Sequence, residues 1–138
     1  MLDGAEGSLA LAGKGCPRWV MPNVNGRGYY RMQLTAAQIT ALRDEAWSQL
    51  VWTERLVVGS TAATEARFGK LPLQLALSFV PKLLAGGDRF AIQAALDRPL
   101  ALESLVAADQ RAKYEAWFRM TFGPGAAKVG MVPKDSDD

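Results

Sequence analysis

The eight residues NVNGRGYY, 23–30, decide how the chain is read. Asn25-Gly26 is a pair that accepts positive φ, the usual chemistry of a tight hairpin turn. Before it, RWVMPN (18–23) holds bulky and branched side chains. After it, GYYRMQL (28–34) alternates, with Tyr29, Arg31 and Gln33 on one face and Tyr30, Met32 and Leu34 on the other. The stretch therefore reads as a turn between two strands. An aromatic RNA-recognition strand needs a small residue where Tyr30 stands and an aromatic where Arg31 stands. No second strand of that kind occurs, so the tyrosines are read as sheet packing and Arg31 as solvated or ion-paired.

The bulk composition narrows the function classes. A chain of 138 residues is one domain's worth, and an apolar fraction of 49% can build a core. A net charge of +2 is no concentrated positive face, which argues against nucleic acid as the partner. No apolar run reaches the roughly 18 residues of a membrane span, so no membrane partner is expected. The N-terminus lacks the basic start and long apolar stretch of a signal peptide. Cys16 stands alone, without a partner for a disulfide or a base to activate it, and reads as a small buried or half-buried apolar residue beside Pro17.

Histidine is absent, which removes histidine triads, histidine-ligated zinc and histidine acid–base chemistry together. Asp44 and Glu45 are adjacent on a helix and point apart. Asp135, Asp137 and Asp138 sit in an acidic tail. LAGKGCP lacks the length and the Ser/Thr of a phosphate loop. Trp19, Trp47, Trp52 and Trp117 read as packing residues. The sequence thus offers no catalytic, metal-binding or cofactor-binding residue.

After Leu34 the pattern turns helical. Thr35 and Gln38 form a capping box, and Ile39, Leu42, Ala46 and Leu50 follow at helical spacing. Thr53 caps a second helix from Glu54 to Phe68, with small inner residues Gly59, Ala62, Ala63 and Ala66 and a stop at Gly69. The third segment, LPLQLALSFVPKLLAGG, is apolar nearly all round, hence central, with a break near Leu77 to Pro81. Asp88 caps a fourth helix, Arg89 to Asp97, which Pro99 separates from the rest. A last long helix runs from Asp109 to Phe122, with Tyr114, Trp117, Phe118 and Thr121 on one stripe, and Gly123-Pro124 stops it. The expected fold is mainly α: a helical-hairpin array, an α-solenoid fragment of HEAT-like kind, preceded by a short β-hairpin from a truncated β-sandwich. The divisions are 1–34 (strand remnant of a sandwich), 35–130 (helical domain) and 131–138 (disordered acidic tail).

CPRWVMPNVNGRGYYRMQL, then LTAAQITAL, ERLVV, GKLPLQLAL and FGPGAAKVGMVPKDSDD, resembles the C-terminal part of zinc aminopeptidases of the gluzincin type, the puromycin-sensitive and endoplasmic-reticulum aminopeptidases. Trp19, Asn23, Gly28, Tyr29, Tyr30 and Arg31 stand at positions of a structural signature in the last strand of that family's sandwich. The resemblance covers residues 8 to 138. It implies a parent enzyme that removes N-terminal residues from peptides with zinc. The zinc helix, His-Glu-x-x-His, and the Gly-x-Met-Glu-Asn loop are both missing here, so no catalytic residue and no zinc ligand carries over. The resemblance therefore implies a C-terminal fragment, inactive alone, that closes the substrate chamber as a lid. Its partners would be the missing catalytic and sandwich domains and the parent's peptide substrate. Family members are cytoplasmic or exported, and a cytoplasmic setting is favoured. The alternative is a free-standing helical module that binds a protein or peptide. Without the rest of the sandwich, residues 8–34 are expected to be poorly anchored and prone to associate.

Overall fold

The computed structural model of the protein describes residue 10 and residues 15–87 and 89–129. Among these residues the chain is mainly helical and forms no strand. Six α-helices follow one another: α1 Ala36–Ala41, α2 Trp52–Arg67, α3 Leu73–Leu77, α4 Val80–Leu84, α5 Arg89–Leu102 and α6 Arg111–Val129. Short 3-10 turns lie at Val24–Gly26, Glu103–Leu105 and Ala108–Gln110. The expected Asp88 cap and acidic tail 131–138 lie outside the described residues, as do residues 1–9 and 11–14.

α1 starts as its sequence dictates. The Gln38 amide N–H donates to Thr35 Oγ1 at 3.3 Å, and Gln38 Oε1 accepts from the Thr35 N–H at 2.8 Å. The helix then widens into a π turn at Leu42–Ala46. Ile39, Leu42, Ala46 and Leu50 are all buried, as their spacing requires. α2 begins two residues earlier than expected, because Glu54 rather than Thr53 marks its start. Glu54 Oε2 accepts from the Val51 N–H at 3.0 Å, and a carboxylate suits the positive end of a helix. The helix closes at Gly69, whose φ is +69, with the Lys70 N–H donating to the Glu65 carbonyl at 2.9 Å.

The apolar third segment breaks where Pro81 demands it. α3 ends at Leu77, and α4 carries Pro81 in its first turn, where a missing N–H is harmless. Ala76, Phe79, Val80 and Leu83 at this break are fully buried. The other two prolines correct the sequence reading. Pro99 lies inside α5, which continues to Leu102 instead of ending at Asp97. Its ring is fully buried, and the adjacent Arg98 guanidinium donates to the Ala94 carbonyl of α5 and, at 3.0 Å, to the Leu56 carbonyl of α2. Tertiary contacts thus carry the helix past a residue of poor propensity. Gly123-Pro124 does not stop α6, which reaches Val129. Residues 123–127 of α6 are exposed, so the carbonyl that loses its donor stays open to hydration.

The expected β-hairpin is also corrected. Its turn forms, with Asn25 at φ 56 and Gly26 at φ 67, but no strands pair beside it among the described residues. Two strands alone are marginal in water. Here the turn is docked on a helix instead. Met32 and Leu34 join Ile39, Leu42, Val58, Ala62, Phe79, Val80, Leu83, Ala95 and Leu102 in one core. Trp19, Trp47, Trp52 and Trp117 pack half-buried against it, as read from the sequence, whereas Cys16, expected to be buried or half-buried, is exposed. Among the described residues no helix is long and apolar enough to cross a membrane.

An exposed proline in a helix interior costs up to about 3 kcal/mol relative to alanine. Pro124→Ala should therefore raise far-UV helicity and slow amide exchange over residues 123–129. Unchanged exchange there would mean that α6 ends at Phe122 in solution.

Candidate functional site

Of the six signature residues, Asn23, Gly28, Tyr30 and Arg31 build or fasten a loop, whereas Trp19 and Tyr29 do not. Asn23 is buried and brackets Gly28: its Nδ2 donates to the Gly28 carbonyl at 3.1 Å, and its Oδ1 accepts from the Gly28 N–H at 2.7 Å. These paired bonds close the loop that the sequence presented as a hairpin turn. Gly28 is required for space. A Cβ there would lie 2.1 Å from Cε1 of the Tyr30 ring, which covers the glycine. Tyr30 in turn donates its hydroxyl to the Pro22 carbonyl at 2.5 Å. Trp19 packs half-buried against the core, whereas Tyr29 projects fully into solvent.

Two buried carboxylates of α2 fasten this loop. Glu54 Oε1 accepts from the Asn25 N–H at 2.9 Å while its Oε2 holds the Val51 N–H. Glu65, almost wholly buried, accepts from Arg31 Nη2 at 2.7 Å. The Arg31 guanidinium also lies over the Phe68 ring, 4.5 Å from its centroid. Lys70 stands 4.0 Å from the second Glu65 oxygen. The described part of the N-terminal segment is therefore anchored on α2 more firmly than the sequence suggested. Sequence reading missed both glutamates, since periodicity alone does not distinguish a buried helical glutamate from a solvated one.

A second feature is a cleft of about 480 Å³ between α3–α4 and the start of α6. Leu73, Leu77, Pro81, Val106 and Trp117 give it apolar walls. Lys113 is the one charged side chain that lines it. Tyr114, marked in the sequence as part of an aromatic stripe, also lines it, and its buried hydroxyl has no hydrogen-bond partner among the described residues. Burial, and secondarily the Glu103 charge, raises its pKa above the usual tyrosine value.

Elsewhere the electrostatics are structural. Burial lowers the Arg98 pKa to about 10, partly offset by Asp97, so the group remains a cation at neutral pH. Arg43 and Asp44 form a bidentate pair that raises the pKa of the first and lowers that of the second. No group of three or more His, Cys, Asp or Glu side chains able to hold a metal occurs among the described residues.

A family model described as the ERAP1-like C-terminal domain matches residues 19–138. No curated protein and no solved structure matches the chain.

The loop geometry separates neighbouring residues by their expected cost. Gly28→Ala drives a methyl into the Tyr30 ring and should destabilise by about 1–3 kcal/mol. Adding Tyr30→Ala should recover part of that loss. Arg31→Met, which leaves Glu65 buried without its close partner, should cost about 1.5–3 kcal/mol, tempered by Arg31's own exposure. Tyr29→Ala should stay within about 0.5 kcal/mol of the native chain. Urea melts of the four variants check this ranking.

Proposed function

The chain belongs to the ERAP1-like C-terminal domain family, and from that premise we propose that it is the non-catalytic helical lid of a zinc aminopeptidase. The family places it in an aminopeptidase context as a helical domain. The finer reading is a HEAT-like array that closes the substrate chamber of a parent enzyme and limits the peptides admitted. The zinc chemistry belongs to another part of that parent. This sequence contains no histidine, so it cannot hold zinc through a His-Glu-x-x-His helix. No catalytic step is assigned to any residue here.

One observation supports a partner that completes the fold. Residues 31–34 alternate as a strand does, with Met32 and Leu34 buried and Arg31 and Gln33 exposed, while Tyr29 and Tyr30 are both exposed. Yet no backbone hydrogen bond joins these six residues to any other described residue. Their amides and carbonyls form an open edge, and an open edge accepts a strand. We assign that strand to the sandwich of the parent enzyme. Val20 and Val24, exposed on the same segment, add apolar area for it to cover.

The DNA immediately upstream of the Met1 codon is expected to encode, in frame or as a neighbouring gene, a segment with a His-Glu-x-x-His helix. Mixed with that polypeptide, the chain should co-elute with it and gain amide protection over residues 29–34. Alone, it should release no chromophore from aminoacyl-anilide substrates. The reading fails if no such coding region exists, or if the two polypeptides do not associate.

A further inference from the structure

We propose that a second copy of this chain is the partner of residues 29–34 when the chain is alone, the two copies joining edge to edge as an antiparallel pair about a two-fold axis. The inference rests on the reading of those residues as an open edge and names a further occupant for it. The bonds that fasten the segment end on its side chains, Tyr30 on the Pro22 carbonyl and Arg31 on Glu65, and none ends on its backbone among the described residues. The edge also lacks the usual guards. Natural edges repel one another with lysine, proline, bulges or free charge. Tyr29 to Leu34 contains no lysine and no proline, and its one charge, Arg31, is met within the same copy by Glu65 at 2.7 Å. Tyr29 and Tyr30 are exposed on the segment and add aromatic area for a neighbour to cover.

Symmetry and side chains set the register. A two-fold axis perpendicular to a strand pair puts like faces together, so the exposed Arg31 and Gln33 meet only residues of their own face. An axis at Arg31 would set two guanidiniums directly opposite each other, which is unfavourable. An axis at Met32 sets each Arg31 opposite Gln33 of the other copy, whose side-chain carbonyl can accept from the guanidinium, and overlaps residues 30–34 of both copies. Moving the axis to Tyr30 or Gln33 shortens the overlap to 29–31 or 32–34, because Asn23 already holds the backbone of Gly28 and Thr35 caps α1. Met32 is therefore the centre. One short strand pair buries little area, so the dimer is weak and fills only at high concentration.

Sedimentation of the full chain from roughly 5 to 500 µM reads the association, a span suited to a small interface. The chain should be a monomer at the low end and a dimer at the high end. Slow exchange should appear on alternate amides of residues 30–34 as concentration rises. Gln33→Lys sets a cation against each Arg31 and should weaken association about tenfold, whereas Gln33→Glu sets an anion there and should tighten it about tenfold. Gln33 is exposed, so circular dichroism should show both variants folded. A chain that stays monomeric throughout overturns the proposal. So does a Gln33→Lys variant that associates as tightly as the native chain, or protection that falls outside residues 30–34. A polypeptide bearing the His-Glu-x-x-His helix should dissolve the dimer, since both partners need the same backbone. A monomeric chain that gains protection over residues 29–34 from that polypeptide sinks this proposal and leaves the lid reading standing. A dimer that the polypeptide leaves intact does the reverse.

Discussion

Glu54 and Glu65 lie eleven positions apart on α2, close to three helical turns, so both carboxylates occupy one face of that helix. One holds the Asn25 amide and the other the Arg31 guanidinium. These two anchors fix both ends of the stretch from Asn25 to Arg31 against α2. That constraint sets the register of the whole N-terminal segment. It puts Met32 and Leu34 into the core and leaves the backbone of residues 29–34 open. A buried carboxylate without partners is costly, so neither glutamate tolerates a slipped register.

The opposite commitments of α2 are made by small residues and one cation. Gly59 admits the Arg98 guanidinium, since a Cβ there would lie 2.9 Å from its Nε. Arg98 then bridges to the Leu56 carbonyl and joins α5 to α2. The same contact explains why α5 survives Pro99. The helix loses one internal hydrogen bond at the proline, but its neighbour is fixed to another helix, and its ring fills space in the interior. One helix thus organises the loop on one side and α5 on another. Its weak amphipathic pattern follows from having partners nearly all round.

Legibility in the sequence followed the locality of each signal. The Thr35–Gln38 capping box, the Gly69 stop and the Pro81 break were readable because each is settled within a few residues of itself. The four tryptophans were read as packing residues, and they pack. Pro99 and Pro124 were misread as stops, because proline propensity is a local cost that tertiary contacts or solvation can offset. The π turn at Leu42–Ala46 has no residue signature at all. The turn at Asn25-Gly26 was legible as backbone chemistry, but its neighbour was not. Nothing near residue 25 announces that the chain will meet Glu54 rather than another strand. The candidate cleft was legible only through Tyr114 and Trp117, since α3 and α6 meet across residues far apart in sequence.

α6 has the least secure place in this arrangement. None of its described residues is fully buried, although Tyr114, Trp117, Phe118 and Phe122 are half-buried and stack along one stripe, with ring centroids 4.6 to 6.5 Å apart. An element held by partial burial opens at lower free energy than the core does. Yet α6 forms one wall of the apolar cleft, so whatever fills the cleft supplies contacts that this helix lacks. The open edge at residues 29–34 shares no lining residue with the cleft and rests on α2. Occupation of the one therefore leaves the other free. Each completes a different weakly held part of the molecule, the edge through backbone hydrogen bonds and the cleft through apolar contact with α6. Stabilisation of α6 by a ligand follows from mass action, because a molecule bound to the closed helix is lost when the helix lifts away.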